Sequence, residues 1–283
     1  MSSKEAGVAT FRSVLRQAFH ISGGQRVRIV AQRTALRARS GAFRNEIGVR
    51  MHADPTDIRG VLLAMYHGNL DRSAVATWRR LAEELRPTVA LDIGANYGEV
   101  AFSTRYHQRL RQLHLVEPNP AVLHRLRETV RHSGADYPDI VLHEGAASDA
   151  SGTARLNFHK HSGVSSLRLP SDRGVSVDCF RLDERIVLDP DDSLLFKIDV
   201  EGHELAALEG MAGLLRGRAV AGICEVMHAD DELLVFLCDH FAVNVIRAGV
   251  EHPVDIHALR DTITQARATG WAGLSKDVVL RSR

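Results

Sequence analysis

Short apolar runs alternate with longer amphipathic segments from residue 89 to the end of the chain. Runs at Val89–Ile93, His114–Val116, Ile140–His143, Leu194–Val200 and Ala219–Val226 predict five strands. Apolar residues at helical spacing predict helices at about 99–110, 121–132, 203–215, 230–239 and 256–268. Two further short apolar runs predict strands at 243–246 and 277–280. This alternation is typical of βαβ units, so we expect an α/β fold with a doubly wound, mostly parallel sheet.

An insertion separates the third and fourth predicted strands. Ala154–Lys160 and Val175–Val177 predict a small antiparallel flap, and residues 159–166 between them carry two histidines, a lysine and three serines. Such side chains can hydrogen-bond a polyhydroxylated ligand, or they can simply lie in solvent at the tip of a hairpin. We take His161, Ser165 and Ser166 as candidate ligand-binding residues.

The first 50 residues differ from the rest, with ten basic residues against two acidic ones. Apolar positions at Phe11–Ala18 and Val27–Ala38 predict two helices separated by Ser22-Gly23-Gly24. We therefore predict a basic helical segment over residues 1–70 and a larger domain over 71–283. The helices either pack on that domain with their arginines in solvent or dock onto an anionic membrane or an acidic lipid-linked substrate.

The composition of the chain limits the classes of protein to which it can belong. A formal net charge of +1 gives no reason to expect a nucleic-acid binder. No apolar run approaches the ~20 residues of a membrane span, and the start of the chain lacks a signal-peptide core. Three cysteines without a Cys-x-x-Cys pair fit a reducing, cytoplasmic compartment. The sequence leaves a homo-oligomer open.

The first predicted strand runs into a glycine turn, Gly94-Ala95-Asn96-Tyr97-Gly98. Glycines allow a tight turn and close approach of the backbone to a ligand. Glu117, at the end of the second strand, can accept hydrogen bonds from both hydroxyls of a ribose. The turn departs from the dinucleotide pattern, and an acidic Glu99 at the predicted start of the next helix favours cationic S-adenosylmethionine over a pyrophosphate.

At this point the sequence resembles the FkbM-type family of S-adenosylmethionine-dependent methyltransferases. The most specific part is Lys197–Glu204, because the family carries K-I-D-V-E-G-x-E at this strand end. The resemblance covers residues 66–283, and its segments are LDIGANYGEVAF (91–102), HLVEPNPAVLHRL (114–126), EGAASDASG (144–152), SGVSSL (162–167), VSVDCFRLDE (175–184) and LFKIDVEGHELAALEGM (195–211).

The resemblance implies a class I (Rossmann-like) methyltransferase fold with a seven-stranded sheet. It also implies methyl transfer from S-adenosylmethionine to a hydroxyl of a sugar, glycolipid or polyketide-like product. By position, the methionine and ribose would lie on the turn, the ribose on Glu117 and the adenine after the third strand. The implied donor-binding residues are Asp92, Gly94, Asn96, Gly98, Glu117, Ala146, Ala147 and Asp199.

Polar residues also follow the fourth and fifth strands, which are neighbours in the methyltransferase strand order. Removing a proton from an alcohol needs a base or a metal ion. We expect His203 as the base with Asp199 as its orienting group, and Glu225 and His228 as the next candidates. Glu201 is a candidate for acceptor binding, although Glu201 and Glu204 can instead accept backbone N–H groups at the helix start. Alternatively, Asp199, Glu201 and Glu225 hold Mg²⁺ through carboxylate oxygens.

The leading hypothesis from the sequence is a cytoplasmic O-methyltransferase that acts on a small-molecule or glycan acceptor. A nicotinamide-dependent oxidoreductase would share the sheet and the ribose carboxylate. A non-catalytic S-adenosylmethionine-binding protein that works through its basic segment is the third interpretation.

Overall fold

The computed structural model describes residues 23–134, 136–158, 161–168 and 170–283, along which the chain forms thirteen strands and eight α-helices. The strands are β1 (Ala42–Arg44), β2 (Arg50–His52), β3 (Val89–Ile93), β4 (Gln112–Glu117), β5 (Asp139–Glu144), β6 (Ala146–Ala147), β7 (Gly152–Asn157), β8 (Gly174–Phe180), β9 (Leu194–Ile198), β10 (Val220–Glu225), β11 (Ala242–Arg247), β12 (Val250–Val254) and β13 (Leu274–Arg281). The helices are α1 (Gly23–Ala38), α2 (Ile58–Met65), α3 (Arg72–Leu85), α4 (Pro120–Ser133), α5 (Glu204–Glu209), α6 (Ala212–Leu215), α7 (Asp231–His240) and α8 (Ile256–Thr269).

Eight strands form one mixed sheet in the order β12-β11-β13-β10-β9-β3-β4-β5. The strands from β10 to β5 are parallel, so their carboxyl ends meet at one edge. β13 runs antiparallel between β10 and β11. The predicted α/β class with a doubly wound, mostly parallel sheet is confirmed. Ligands of such sheets bind outside the carboxyl ends of the strands.

The sheet has one strand more than the seven expected. β12 pairs antiparallel with β11 across a two-residue turn in which Ala248 and Gly249 both have positive φ, as hairpin turns of this length favour. Pro253 lies within β12, and the edge position tolerates it because the outer side of an edge strand needs no ladder hydrogen bonds. A proline in a short polar run gives little strand signal in the sequence.

The central strands β3, β9 and β10 are buried along their whole length. Helix α3 packs against β9 and β10 with Trp78 and Leu81 fully buried. Leu208 and Leu237, from α5 and α7, are fully buried in the other part of the core. Burial on both faces explains why these strands are continuous apolar runs rather than alternating patterns.

The flap between the third and fourth parallel strands is confirmed. β7 and β8 pair antiparallel from Gly152 with Cys179 to Asn157 with Gly174, and the short β6 joins β8 in parallel. A bridge between Asn157 and Ser166 folds the intervening loop back onto β7. His159 and Lys160 lie outside the described residues.

Two helix predictions are wrong. The predicted helix over 99–110 is a turn and one 3₁₀ segment, Ala101–Ser103. The Ala101 carbonyl accepts the Tyr106 hydroxyl, and the Phe102 carbonyl accepts the Asn45 amide, so neither pairs along a helix. The predicted helix over 203–215 is interrupted between α5 and α6. Gly210 packs there so closely that an added Cβ would lie 1.9 Å from the Ser148 carbonyl oxygen.

The second predicted N-terminal helix is present as α1, but Gly23 and Gly24 lie inside it rather than in a break. Ile29 and Leu36 are buried in the same hydrophobic core as Met51, Val61 and Trp78. The described part of the basic segment therefore packs on the sheet domain. The first predicted helix, at residues 11–18, lies outside the described residues. Within the described ranges, no helix combines the length and apolar character that crossing a membrane requires.

Candidate active site

A cavity of about 290 Å³ opens at the carboxyl edge of the parallel strands. Its walls come from the turn after β3, the end of β4, β6, the loop between β7 and β8, and the ends of β9 and β10. Residues of α2 and of the start of α3 close another side. The cavity therefore lies where the strand order of the sheet predicts a ligand site.

The glycine turn brings the backbone of β3 against that of β9. Gly94 has a φ of +78°, and an added Cβ would lie 1.9 Å from the Asp199 carbonyl oxygen. Asn96 also has positive φ, which is uncommon for a residue with a side chain, although asparagine adopts it more readily than most. Gly98 does not line the cavity, and the Phe102 ring would clash with a Cβ there. Its role is to shape the turn.

Glu117 lies across this turn and is buried. Its Oε2 accepts the Asn96 amide proton and its Oε1 accepts the Asn119 amide proton, each at 2.7 Å. Burial raises the pKa of Glu117 to about 7, although both amides favour the ionised form. Each carboxylate oxygen keeps a further lone pair, so Glu117 can still accept hydrogen bonds from two hydroxyls.

Most predicted donor-binding residues line the cavity. Ala146 and Ala147 do so from β6, beside the end of β5. Asp92 is fully buried, accepts the Ala101 amide proton and faces Lys197 Nζ at 3.6 Å. The complete set of predicted donor-binding residues at the cavity wall is Asp92, Gly94, Asn96, Glu117, Ala146, Ala147 and Asp199.

Three carboxylates meet at the ends of β9 and β10. Asp199, Glu201 and Glu225 each offer an oxygen within 4.8 Å of the other two. Glu201 has a φ of +53°, a strained conformation for a residue with a side chain. Burial and the repulsion from Asp199 raise the pKa of Glu201 to about 7 and that of Glu225 still further. Among the described residues, Glu225 Oε2 has no hydrogen-bond partner.

Lys197 is the buried cation of this region. Its Nζ lies 3.3 Å from Asp199 and donates to the Gly94 carbonyl at 3.4 Å. Burial alone would lower the pKa of Lys197, but Asp199 and Asp92 raise it above the ordinary value. The lysine therefore stays charged and fixes both carboxylates at the strand ends.

The two candidate histidines have different surroundings. His228 Nε2 lies 3.4 Å from Glu201 Oε2, beside the three carboxylates, and burial lowers its pKa. His203 lines the cavity, which His228 does not, and its Nε2 lies 3.1 Å from the Ser148 hydroxyl. Glu204 accepts the Gly202 amide proton at 2.9 Å, which agrees with the structural role expected for it.

The flap loop closes one side of the cavity. His161 and Ser165 line it. Ser166 is fully buried, and its hydroxyl donates to the Glu201 carbonyl at 2.6 Å, so it holds the loop against the strained turn instead of facing the cavity. Ser162, which the sequence did not single out, donates to Asp57 at 2.6 Å. The loop is thus tied to the N-terminal cap of α2.

The sequence suggested that Glu99 begins a helix, but in the structure it does not. Its Oε1 accepts the amide protons of Leu70 and Asp71, and its Oε2 pairs with Arg59 at 3.2 Å. Burial raises the pKa of Glu99. Its carboxylate is therefore used to hold the segment before α3 and the Arg59 side chain against the cavity.

Sequence reasoning missed Arg59 and Lys276, which both line the cavity. The sequence does contain a signal for Lys276. A strand that runs antiparallel to β10 must begin at the carboxyl edge of the parallel strands, and Lys276 lies near the start of such a strand. Arg59 has no comparable signal, since its helix is joined to the sheet only through tertiary packing.

The Methyltransferase FkbM domain model matches residues 92–261. None of the curated proteins matches the chain. Among solved structures, a methyltransferase from Geobacter sulfurreducens is 11% identical over 97% of this chain and 96% of its own, with a TM-score of 0.40. A precorrin-6y C5,15-methyltransferase from Geobacter metallireducens is 12% identical over 74% and 87%, with a TM-score of 0.39. A SAM-dependent methyltransferase from Aquifex aeolicus is 12% identical over 75% and 91%, with a TM-score of 0.37.

Proposed function

The chain belongs to the FkbM family of methyltransferases, and we propose that it transfers the methyl group of S-adenosylmethionine to a hydroxyl of a sugar, glycolipid or related natural product. Family membership makes it an S-adenosylmethionine-dependent methyltransferase, and the hydroxyl acceptor is the proposal. The observation that carries it is the group of Asp199, Glu201 and Glu225 at the cavity wall, with His228 Nε2 lying 3.4 Å from Glu201 Oε2. Such a group suits an acceptor that must lose a proton.

Methyl transfer to a hydroxyl requires a side chain near the acceptor that can take up its proton. A carbon–sulfur bond breaks, a carbon–oxygen bond forms, the sulfonium becomes a neutral thioether and the hydroxyl proton goes to a base. The oxygen must approach to roughly 3 Å in line with the breaking bond. A base works best when its pKa lies near the working pH. Glu201 has a pKa of about 7 and touches His228, so this pair is our candidate for the proton acceptor.

The donor side is proposed from the cavity walls. Glu117 would accept the ribose hydroxyls, Ala146 and Ala147 would contact the adenine, and the turn from Gly94 to Asn96 would contact the methionine end. The two fixed amides on Glu117 and the close approach of Gly94 to β9 support this arrangement.

A divalent cation also fits the carboxylates. Asp199, Glu201 and Glu225 would hold Mg²⁺, which prefers oxygen ligands, and the unpartnered Glu225 Oε2 supports the fit. Bound there, the ion would lower the pKa of an acceptor hydroxyl. Turnover after removal of metal with EDTA, with and without added Mg²⁺, tests it. Full activity of the metal-free protein would exclude this role.

The first experiment is calorimetric titration with S-adenosylhomocysteine and, separately, with NADH. We expect binding of S-adenosylhomocysteine alone, because the turn lacks the glycine spacing of a dinucleotide site. NADH binding would favour the nicotinamide-dependent oxidoreductase. Labelled S-adenosylmethionine with a panel of sugars and glycolipids then tests the acceptor. Labelling of nucleic acid or protein, with no labelled hydroxyl compound, would refute the proposal.

Two variants separate donor binding from transfer. Asp199→Asn should keep S-adenosylhomocysteine binding and lose most turnover, because the carboxylate lies beside Lys197 and the other acids. The exposed Asp191→Asn is the matched control and should retain turnover. Near-normal turnover of Asp199→Asn would show that this carboxylate is not needed for transfer and would leave the catalytic role to Glu201, Glu225 and His228. Donor binding without turnover on any acceptor would favour the non-catalytic alternative.

We propose a cytoplasmic location, supported by three free cysteines. The arginines of α1 remain the candidate contact with an anionic membrane or a lipid-linked acceptor, and self-association stays a hypothesis. Gel filtration and vesicle flotation of the full chain test both.

A further inference from the structure

The guanidinium of Arg59 reaches the cavity from α2, outside the 92–261 match. Its Nη2 pairs with Glu99 at 3.2 Å, and its side chain is 24% exposed. Its Nε is buried and has no hydrogen-bond partner in the part of the chain that the structure describes. A cationic group with spare donors at a cavity wall can bind an anionic part of a ligand.

The order of the sheet identifies that part of the ligand. Along the carboxyl edge, β5 is followed by β4, β3 and β9. Ala146 lies beside the end of β5, and Glu117 ends β4. Arg59 lies further along, since it pairs with Glu99 in the turn after β3 and interacts with Asp199 after β9. A nucleoside with its base near β6 and its ribose on Glu117 would extend its 5′ substituent towards Arg59.

In S-adenosylmethionine that substituent ends in an amino acid with a carboxylate and an ammonium. We propose that Arg59 binds the α-carboxylate of the methionine portion and that Asp71, which also lines the cavity, faces its ammonium. Asp71 Oδ1 caps α3 by accepting the Ala74 amide proton, and Oδ2 has no hydrogen-bond partner among the described residues. This inference rests on the proposed donor site.

Glu99 is a positioning residue for this subsite. Both of its oxygens are occupied, by the amides of Leu70 and Asp71 and by Arg59. It therefore fixes the arginine and the start of α3 on the same wall. In this arrangement α2 and the start of α3 complete the donor site, although the sequence placed α2 outside the catalytic domain.

Among the described residues, two other cations line the cavity. Lys197 is held by Asp92, Asp199 and the Gly94 carbonyl. Lys276 lies near the start of the antiparallel strand β13, and its charge acts on Glu201 and His228, on the side of the proposed acceptor. Arg59 is thus the cation whose donors best match the carboxylate, and Lys276 is the competitor that the experiment must test.

The test compares two ligands on purified full-length protein by calorimetry. S-Adenosylhomocysteine carries the amino acid, whereas 5′-methylthioadenosine keeps the adenosine and thioether without it. Arg59→Ala should lower affinity for S-adenosylhomocysteine by about 10- to 100-fold, the effect of losing hydrogen bonds to a charged group. Its affinity for 5′-methylthioadenosine should stay within about twofold of the wild type, since that ligand has no group for Arg59.

Controls separate the possible failures. Arg59→Ala leaves the Glu99 carboxylate buried without its cation, so the double variant Arg59→Ala/Glu99→Gln is measured as well. Arg125→Ala, on the outer side of α4, should bind both ligands normally. Equal loss of both ligands, no loss of either, or a selective loss in Lys276→Ala instead would overturn the assignment. If the wild type binds neither ligand, the proposed function itself fails.

Discussion

A single substitution at Glu117 tests the proposed donor site. Replacing it by alanine removes a buried carboxylate that holds the amides of Asn96 and Asn119. We expect Glu117→Ala to weaken S-adenosylhomocysteine binding by about 1–3 kcal/mol, measured by calorimetry. The matched control is Glu144→Ala, because Glu144 ends the neighbouring strand opposite Glu117 but pairs with Arg127 in solvent. Unchanged affinity of Glu117→Ala would remove this residue from the site.

The pKa of Glu117, raised by burial to about 7, also predicts a pH effect on binding. Ribose hydroxyls donate to the ionised carboxylate, so binding favours loss of the proton. Affinity for S-adenosylhomocysteine should therefore rise between pH 6 and pH 8. Calorimetry at pH 7 in buffers of different ionisation enthalpy should detect proton release. Glu117→Gln should bind weakly with a flatter pH profile, and a wild-type affinity that falls over this range would contradict the role.

The cavity residues differ in how well the sequence predicted them. Gly94, Asn96 and Glu117 were found because a strand end and a tight turn leave a local pattern. The position of Ser166 away from the cavity wall and the presence of Arg59 at it leave no local pattern, because both depend on tertiary contacts, with the Glu201 carbonyl and with Glu99. Residue type indicates which chemistry a side chain can perform, but the partner of a buried polar group is set by distant segments.

At the scale of elements, strands were predicted better than the segments that follow them. β3, β9 and β10 are long apolar runs because both faces of the sheet are covered. The stretch after β3 has helical spacing, yet its carbonyls bond to the Asn45 and Tyr106 side chains, and the helix does not form. Side chains brought in by other elements decided that local structure.

The N-terminal elements carry a prediction about truncation. Deleting residues 1–50 removes Ile29, Leu36 and Val49, all at most 1% exposed, and should prevent stable folding. Thermal melting and calorimetry of this truncation check the prediction. A stable, binding-competent 51–283 chain would show that α1 and β1 are dispensable.

At the scale of the whole molecule, charge is unevenly distributed despite a formal net charge of +1. Asp92, Glu117, Glu201 and Glu225 are buried at the wall of one cavity, and Lys197 is buried with them. Carboxylates crowded in this way repel one another and resist ionisation. A cationic ligand bound at the carboxyl edge of the sheet would therefore reduce the repulsion between these carboxylates. Both the sulfonium donor and a divalent ion are cations.

Glu225 makes this crowding measurable as a dependence of stability on pH. Burial and the repulsion from Asp199 raise its pKa above the unfolded value, so the folded state holds a proton that the unfolded state releases. This contribution to stability is complete below about pH 4.5 and declines as the pH rises towards the folded pKa. Between pH 5 and pH 9, in EDTA, the melting temperature of the wild type should therefore fall relative to that of Glu225→Gln. Comparing the two proteins cancels the contribution of the buried histidines, whose lowered pKa values make stability rise with pH.

Glu232→Gln is the control, because Glu232 is an exposed glutamate on α7, and its melting temperature should follow that of the wild type at every pH. If the difference between wild type and Glu225→Gln stays constant over this range, Glu225 is not held protonated by its neighbours.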